Sequence, residues 1–376
     1  MHIKYITNVR IPTTRAQGYA IMKMCEEFSL AGVDIELIVP NRRSNEVTSD
    51  PFEYYSIKNK FPIKKLWSFD LLGPFEAFGK LFYWIDMLSF LFSVKIHTKS
   101  FNGIFYTRDY LVPFFLPQES LICLEVHDLP SSKKIFKRVI NRVKLFVVLN
   151  NNLRDELVGL GVRQENILVS PSGIDLSFFD IDVTKEEARE KLSLPLDKKI
   201  VTYTGHFYKW KGVYTLAEVA KIMPETVFVF IGGVEPDITS FKNEFASLNN
   251  IIITPFKKRD TIPLYLKASN VLVLPNSGVE KISNSYTSPL KMFEYMASRV
   301  PIVASDLSSI REVLNESNSL LSVPDSVSSF ELSIKKLLNN IDLSNKLSDK
   351  AFFDVSGYTW EIRAKKILSK INENTL

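Results

Sequence analysis

The sequence predicts an α/β chain made of two Rossmann-like halves with parallel sheets. Short apolar runs rich in β-branched residues alternate with helical patterns along nearly all 376 residues. Such alternation implies parallel strands joined by right-handed crossovers. It occurs in two series, each opening with a strand and then a loop containing glycine. The length, with 45% hydrophobic and 24% charged residues, is enough to bury two cores.

In the first series the candidate strands are 3–7, 33–39, 104–107, 121–126 and 145–149, with a helix over Gln17–Ala31. In the second they are 200–205, 227–232, 251–254, 271–274 and 301–304, with helices over 212–223 and 289–298. The two series part near residues 176–198. There the turn signal Ser172-Gly173-Ile174-Asp175 leads into a mixed-charge stretch carrying Pro195. This gives domains of 1–175 and 176–356, and from Tyr358-Thr359-Trp360-Glu361 the chain ends in one more amphipathic helix. No short-period repeat or low-complexity segment interrupts the pattern.

Cys25 and Cys123 lie far apart and read as ordinary buried residues rather than a disulfide or metal framework. Met1-His2-Ile3-Lys4-Tyr5-Ile6 enters a strand at once without a signal-peptide pattern, so a reducing, cytoplasmic setting is the expectation. The net charge of +5 is modest and no nucleic-acid motif is present, which argues against nucleic-acid readout.

The charge is uneven. Lys133, Lys134, Lys137, Arg138, Arg142 and Lys144 crowd one segment with Ile135, Phe136, Val139, Ile140 and Val143 at helical spacing. This basic amphipathic helix either rests on anionic lipid or simply shows water a basic face. Between residues 52 and 115, about 19 of 64 positions are Phe, Tyr or Trp. The run Leu81–Phe92 within that tract is too short to span a membrane and is broken by Asp86. It reads as a core helix, or as part of an apolar acceptor surface rimmed by Lys58, Lys60, Lys64 and Lys65, with membrane contact expected of the flanking loop.

In parallel sheets ligands bind beyond the carboxyl ends of the strands, and four places qualify. The stretch Tyr286-Thr287-Ser288-Pro289-Leu290 opens a helix containing Glu294, with Ser288 as the expected N-cap and Pro289 as its first residue. Its amides and dipole make a ready phosphate site, and Glu294 is near enough to reach a sugar hydroxyl. His127 closes the run Leu121–Val126, where it can hydrogen-bond a ligand or exchange a proton. The loop Gly205-His206-Phe207-Tyr208-Lys209-Trp210-Lys211-Gly212 sits like a phosphate loop without being a Walker sequence, and Lys209 and Lys211 bring positive charge. Ile231-Gly232-Gly233 is another strand-to-glycine exit, and the loop Pro12–Gly18 carries Arg15 and Gly18 without a dinucleotide fingerprint. For each of these the alternative is structural: a capped helix, a core histidine, two solvated lysines. Asp180-Ile181-Asp182 mimics a metal-binding pair but lies in the linker, and no zinc spacing occurs, so no metal is expected.

Together these pieces resemble a family-4 retaining glycosyltransferase of the two-domain GT-B type, of the bacterial surface-polysaccharide kind. Tyr203-Thr204-Gly205 with Lys211-Gly212 resembles the family's Gly…Lys-Gly loop, and Pro171–Asp175 with Phe178 its Asn-Gly-Val-Asp…Phe turn. Ser288–Ala297 with Pro301–Asp306 resembles its Glu-bearing helix and following strand. The resemblance implies two sheets facing across a cleft and a C-terminal helix, 357–376, crossing back to the first domain. It implies Lys211 on a donor diphosphate, Glu294 on the ribose, the amides of Thr287–Leu290 on the phosphates and His127 at the donor sugar. Gly18, Gly205, His206 and Lys209 would complete the nucleotide-sugar site, and no cofactor or metal is implied.

Two departures stand out. Tyr286 occupies the place of the first Glu in the family's Glu-x7-Glu motif, and His206 the place of a basic residue. The reading that follows is transfer of a sugar from a nucleotide-sugar to a lipid-linked or growing glycan, at the cytoplasmic membrane face. The competing reading, motivated by Tyr286, is a non-catalytic GT-B partner subunit that binds a nucleotide or glycan.

Overall fold

The computed structural model describes residues 1–42, 47–71, 79–130 and 133–375. Residues 72–78 of the aromatic tract, and the last residue of the expected C-terminal helix, lie outside the described residues. The chain forms two compact units. The first holds Met1–Leu149, Leu153–Pro171 and Trp360–Leu376; the second holds Asn150–Asn152 and Ser172–Thr359.

The first unit contains β1 (His2–Ile6), β2 (Asp34–Pro40), β3 (Ile63–Leu66), β4 (Ile104–Thr107), β5 (Leu121–Val126), β6 (Leu145–Val148) and β7 (Ile167–Val169). They pair in the order β3-β2-β1-β4-β5-β6-β7, every pairing parallel. The second unit contains β8 (Lys199–Thr204), β9 (Thr226–Ile231), β10 (Ile251–Thr254), β11 (Val271–Leu274), β12 (Ile302–Ser305) and β13 (Leu320–Ser322). Their order is β10-β9-β8-β11-β12-β13, again all parallel. Both are doubly wound, and the order reverses between β1 and β4 and between β8 and β11, where such sheets open a binding crevice.

The central strands form because their side chains are apolar on both faces. Leu145-Phe146-Val147-Val148 and Val271-Leu272-Val273-Leu274 are buried throughout, as a sheet covered by helices on both sides requires. Each such side chain contributes about 1.5–3 kcal/mol on burial. The second sheet packs a cluster around Phe207, Phe228, Phe230 and Phe241 on one face, and Met292, Phe293, Tyr295 and Met296 on the other.

All ten expected strands are present within a residue or so of their expected limits. Three others, β3, β7 and β13, were not expected, and each lies at a sheet edge. The helices run Ala16–Leu30, Val213–Ile222 and Leu290–Ala297. The last begins one residue late: Pro289 is the cap, with extended backbone (φ −71°, ψ 129°), and Ser288 lies outside the helix. The reason is that Ser288 is engaged elsewhere. Its Oγ accepts the Ser172 amide at 3.2 Å and its carbonyl accepts the Ser172 hydroxyl at 2.9 Å.

The basic segment is helical over Lys133–Ile140 only. Phe136 and Val139 are buried, and Arg142 turns inward to donate to Gln118 Oε1 and to the carbonyls of Leu116 and Pro117. The aromatic tract forms the helix Gly79–His97. One side of it, with Met87, Phe90, Leu91 and Val94, joins the core, and Asp86 is buried there to accept the Leu71 amide at 3.0 Å. The opposite side is exposed and apolar, through Leu81, Trp84, Leu88, Phe92 and Ile96. Among the described residues no helix is long and apolar enough to cross a membrane.

Candidate nucleotide-sugar site

In the second unit the switch point is built from the loops after β8 and β11. Gly205 (φ 133°) donates its amide to Ile231 O at 2.8 Å, and its carbonyl accepts the Gly233 amide at 3.1 Å. The two glycine exits therefore clasp each other. Lys209–Lys211 form a single 3₁₀ turn ended by Gly212 (φ 69°), and a Cβ at Gly212 would stand 1.6 Å from Pro275 O. Only glycine fits there. The Ser277 amide donates to Trp210 O at 2.9 Å, which fixes the β8 loop on the β11 loop.

The two lysines of this loop part company. Lys209 lies over the Tyr214 ring at 5.9 Å and lines a cavity of about 590 Å³ with Tyr208, Trp210 and Asp237. Lys211 lies over the Trp210 ring at 4.8 Å, and desolvation by burial lowers its pKa to about 8. His206 stacks on Tyr208 at 5.1 Å with 11° between planes, and its carbonyl accepts the Tyr203 hydroxyl.

The helix Leu290–Ala297 is held to β8 by Tyr295, whose hydroxyl accepts the Thr204 amide at 2.8 Å. In its first turn the Met292 amide donates to Pro289 O at 2.9 Å. Thr287 just before it accepts from Asn150 Nδ2 at 3.5 Å through its carbonyl. Tyr286 ends the turn Ile282–Tyr286 with its ring buried, and Lys281 Nζ stands 5.1 Å from that ring. Glu294 is buried, and Arg259 donates to its Oε1 at 2.7 Å. Arg259 in turn lies 5.4 Å from the Phe178 ring and 5.3 Å from that of Phe179. The turn and the helix singled out in the sequence thus meet through a residue, Arg259, that sequence reasoning missed. Lys291 was missed too: it is 8% exposed, and its Nζ stands 3.9 Å from the centre of the Tyr203 ring.

In the first unit His127 leaves the end of β5 beside a buried ionic cluster. Glu125 accepts from His127 Nε2 at 2.6 Å, from Arg363 Nη2 at 2.9 Å and from the Tyr106 hydroxyl. Arg108 Nη2 lies 2.9 Å from His127 Nδ1. An arginine can only donate, so Nδ1 accepts and Nε2 carries the proton toward Glu125. Burial alone would raise the Glu125 pKa, but Arg363, His127 and Arg108 hold it well below the carboxylate range. Burial and then Arg108 push His127 down to about 4 against the pull of Glu125, so it is neutral at pH 7. Gly18 lies in the helix Ala16–Leu30, where a Cβ would stand 2.2 Å from the Tyr55 hydroxyl oxygen. That hydroxyl bonds both the amide and the carbonyl of Thr13, so Gly18 makes room for a tyrosine that pins the loop after β1. Among the described residues no group of three or more His, Cys, Asp or Glu is placed to hold a metal ion.

Two Rossmann-like units, each with the strand order found here, define the GT-B fold. Solved structures agree along the whole chain. The sucrose-phosphate synthase of Thermosynechococcus elongatus superposes with a TM-score of 0.77 at 18% identity, covering 99% of this chain and 98% of the other. Anabaena Alr3699/HepE, solved in complex with UDP-glucose, gives 0.77 at 13% identity over 99% and 100%. Residues 184–352, within the second unit, match the model of the family described as glycosyl transferases group 1.

Among curated relatives, the putative teichuronic acid biosynthesis glycosyltransferase TuaC of Bacillus subtilis is 29% identical over 197 residues, 51% of this chain and 46% of the relative. An Escherichia coli UDP-Gal:alpha-D-GlcNAc-diphosphoundecaprenol alpha-1,3-galactosyltransferase is 28% identical over 160 residues, 39% and 38%. The chain spans about half the length of the curated relatives it matches, from 42% to 62% for the first three.

Proposed function

We propose that this protein transfers a sugar, with retention of anomeric configuration, from a nucleotide-sugar to a lipid-linked or growing glycan. The product would be a cell-surface polysaccharide such as a capsule or lipopolysaccharide. The observation that carries this reading is the second unit's switch point. Lys211 is placed there on a glycine-bounded turn, in the same unit as the helix Leu290–Ala297 and its Arg259-held Glu294. Lys211 and the helix-start amides would neutralise the leaving diphosphate, the largest catalytic term in such a transfer. The bond from the anomeric carbon to the diphosphate breaks and the acceptor oxygen bonds on the same face. The acceptor's proton passes to the leaving diphosphate. No metal is invoked, since the lysines supply the charge. Within the first unit, Glu125 and Arg108 engage both ring nitrogens of His127.

The acceptor assignment rests on the exposed side of the helix Gly79–His97. Phe92 is 58% and Ile96 64% exposed, and Trp67, 59% exposed, is tied to this helix where Ser93 Oγ donates to its carbonyl at 2.7 Å. Exposed Lys64, Lys65, Lys95 and Lys99 accompany this apolar face. Apolar rings with exposed lysines suit the headgroup layer of an anionic membrane, which supports the reading of a peripheral protein on its cytoplasmic side.

The test is release of nucleoside diphosphate from a panel of nucleotide-sugars, with Lys211→Ala and Glu294→Ala as controls. Turnover lost in both supports the enzyme. The buried Tyr286, standing where a sugar-binding carboxylate was expected, favours the second reading, a nucleotide-binding partner subunit. Tight nucleotide binding without turnover on any acceptor would select it. For the membrane, flotation with anionic liposomes at low salt decides: the wild type should float and Phe92→Asp/Ile96→Asp should not.

A further inference from the structure

Lys291 is a buried cation for which the protein supplies no hydrogen-bond partner. It projects from the first turn of the helix Leu290–Ala297 to lie on the Tyr203 ring, and the open side of Gly205 is 3.7 Å from its Nζ. The charged groups acting on it are Lys211, which repels it, and Glu294, whose carboxylate is engaged by Arg259. Burial first, and then Lys211, lower its pKa well below the usual lysine value. A cation–π contact offsets only part of the cost of burying an unpaired ammonium group. The arrangement is costly unless an anion completes it.

We propose that Lys291 forms a cationic seat for an anionic oxygen group of the ligand, against the Gly205–Gly212 loop that also carries Lys211. The inference rests on the nucleotide-sugar reading of this site and extends it to Lys291, a residue of the Glu294 helix to which that reading gave no role. Two features meet at the seat: the Lys291 ammonium group, without a hydrogen-bond partner, and the close approach that Gly205 permits. The anion is either a phosphate of the donor diphosphate or a carboxylate carried by the donor sugar. The second source is of interest because Tyr286 replaces a carboxylate that would repel an acidic sugar.

The experiment is calorimetric titration of wild type, Lys291→Met and Lys291→Gln with inorganic pyrophosphate, with UDP, GDP, ADP and dTDP, and with the matching nucleosides. A nucleotide-hexose and its hexuronic acid, on whichever base binds, form the last arm. Methionine keeps the shape of the side chain without its charge, and thermal unfolding checks that each variant folds. A tenfold or greater loss of diphosphate or pyrophosphate affinity in both variants, with nucleoside binding unchanged, supports the seat and names a phosphate. Loss confined to the preference for the hexuronic acid supports it and names a carboxylate. Unchanged affinity for every anion overturns it, as does a wild type that binds none of them. Pyrophosphate bound through Lys291 with no nucleotide bound would keep the seat and sink the nucleotide-sugar reading.

Discussion

Glu125 and Arg363 meet at 2.9 Å with both side chains 4% exposed, joining the end of β5 to the last helix of the chain, Trp360–Thr375. Arg363 also donates to the carbonyls of Ser170 and Pro171, so one guanidinium secures three stretches of the first unit. Removing one partner of a buried pair leaves an uncompensated charge, at a cost of about 3–5 kcal/mol. Arg363→Met should therefore lower the urea midpoint of the first unit sharply. Arg363→Met/Glu125→Gln should recover part of that loss. Equal midpoints for wild type and the single variant would refute the coupling.

His127 gives that cluster a pH dependence. Its folded value of about 4 lies below the about 6.5 of an unfolded histidine. Between those values the unfolded chain binds a proton that the folded chain refuses. This contribution to stability thus falls as pH drops from about 6.5 to about 4, and levels off below. Denaturation midpoints at pH 7, 5.5 and 4.5 should show a shallower decline in His127→Asn.

Gly212 should tolerate no side chain. Positive φ costs a residue with a Cβ about 1–2 kcal/mol, before the 1.6 Å approach to Pro275 O is counted. Gly212→Ala should lower the melting temperature of the second unit and weaken nucleoside diphosphate binding by tenfold or more, because the backbone carrying Lys211 must shift. Gly357→Ala, where a Cβ meets nothing within 4 Å, is the control.

Lys211, at about 8, should make anion binding pH-dependent. A bound phosphate favours the protonated amine, so affinity is fully present below pH 8 and declines as pH rises through it. The ceiling on that decline is about tenfold per pH unit. Calorimetry at pH 8 in two buffers of different ionisation enthalpy should detect proton uptake on binding. Lys211→Met should abolish the decline near pH 8.

The fold was legible because it follows from local pattern. Val271–Leu274 and Leu145–Val148 are apolar at every position, and a run of that kind in an alternating chain has few places to go but the middle of a parallel sheet. The edges were not. Ile63-Lys64-Lys65-Leu66 shows two lysines to solvent, which protects an edge and hides a strand, and Ile167–Val169 and Leu320–Ser322 are too short to carry a period.

The site divided in the same way. Turns that need glycine, such as Gly205 and Gly212, show in the sequence because few other residues meet the backbone's demand. Ser288 read as a helix cap, but the structure gives it to Ser172, a partner 116 residues away that no local rule anticipates. By itself the sequence determined two Rossmann-like units, the loops on which lysine and histidine would stand and the helix that carries Glu294. Only the tertiary structure decided what those groups face. Arg259 holds Glu294, Glu125 and Arg108 hold both nitrogens of His127, and Lys291 has no hydrogen-bond partner beneath the β8 loop. Burial and charge pairing are set by residues distant in sequence, whereas strand, helix and turn are set by neighbours.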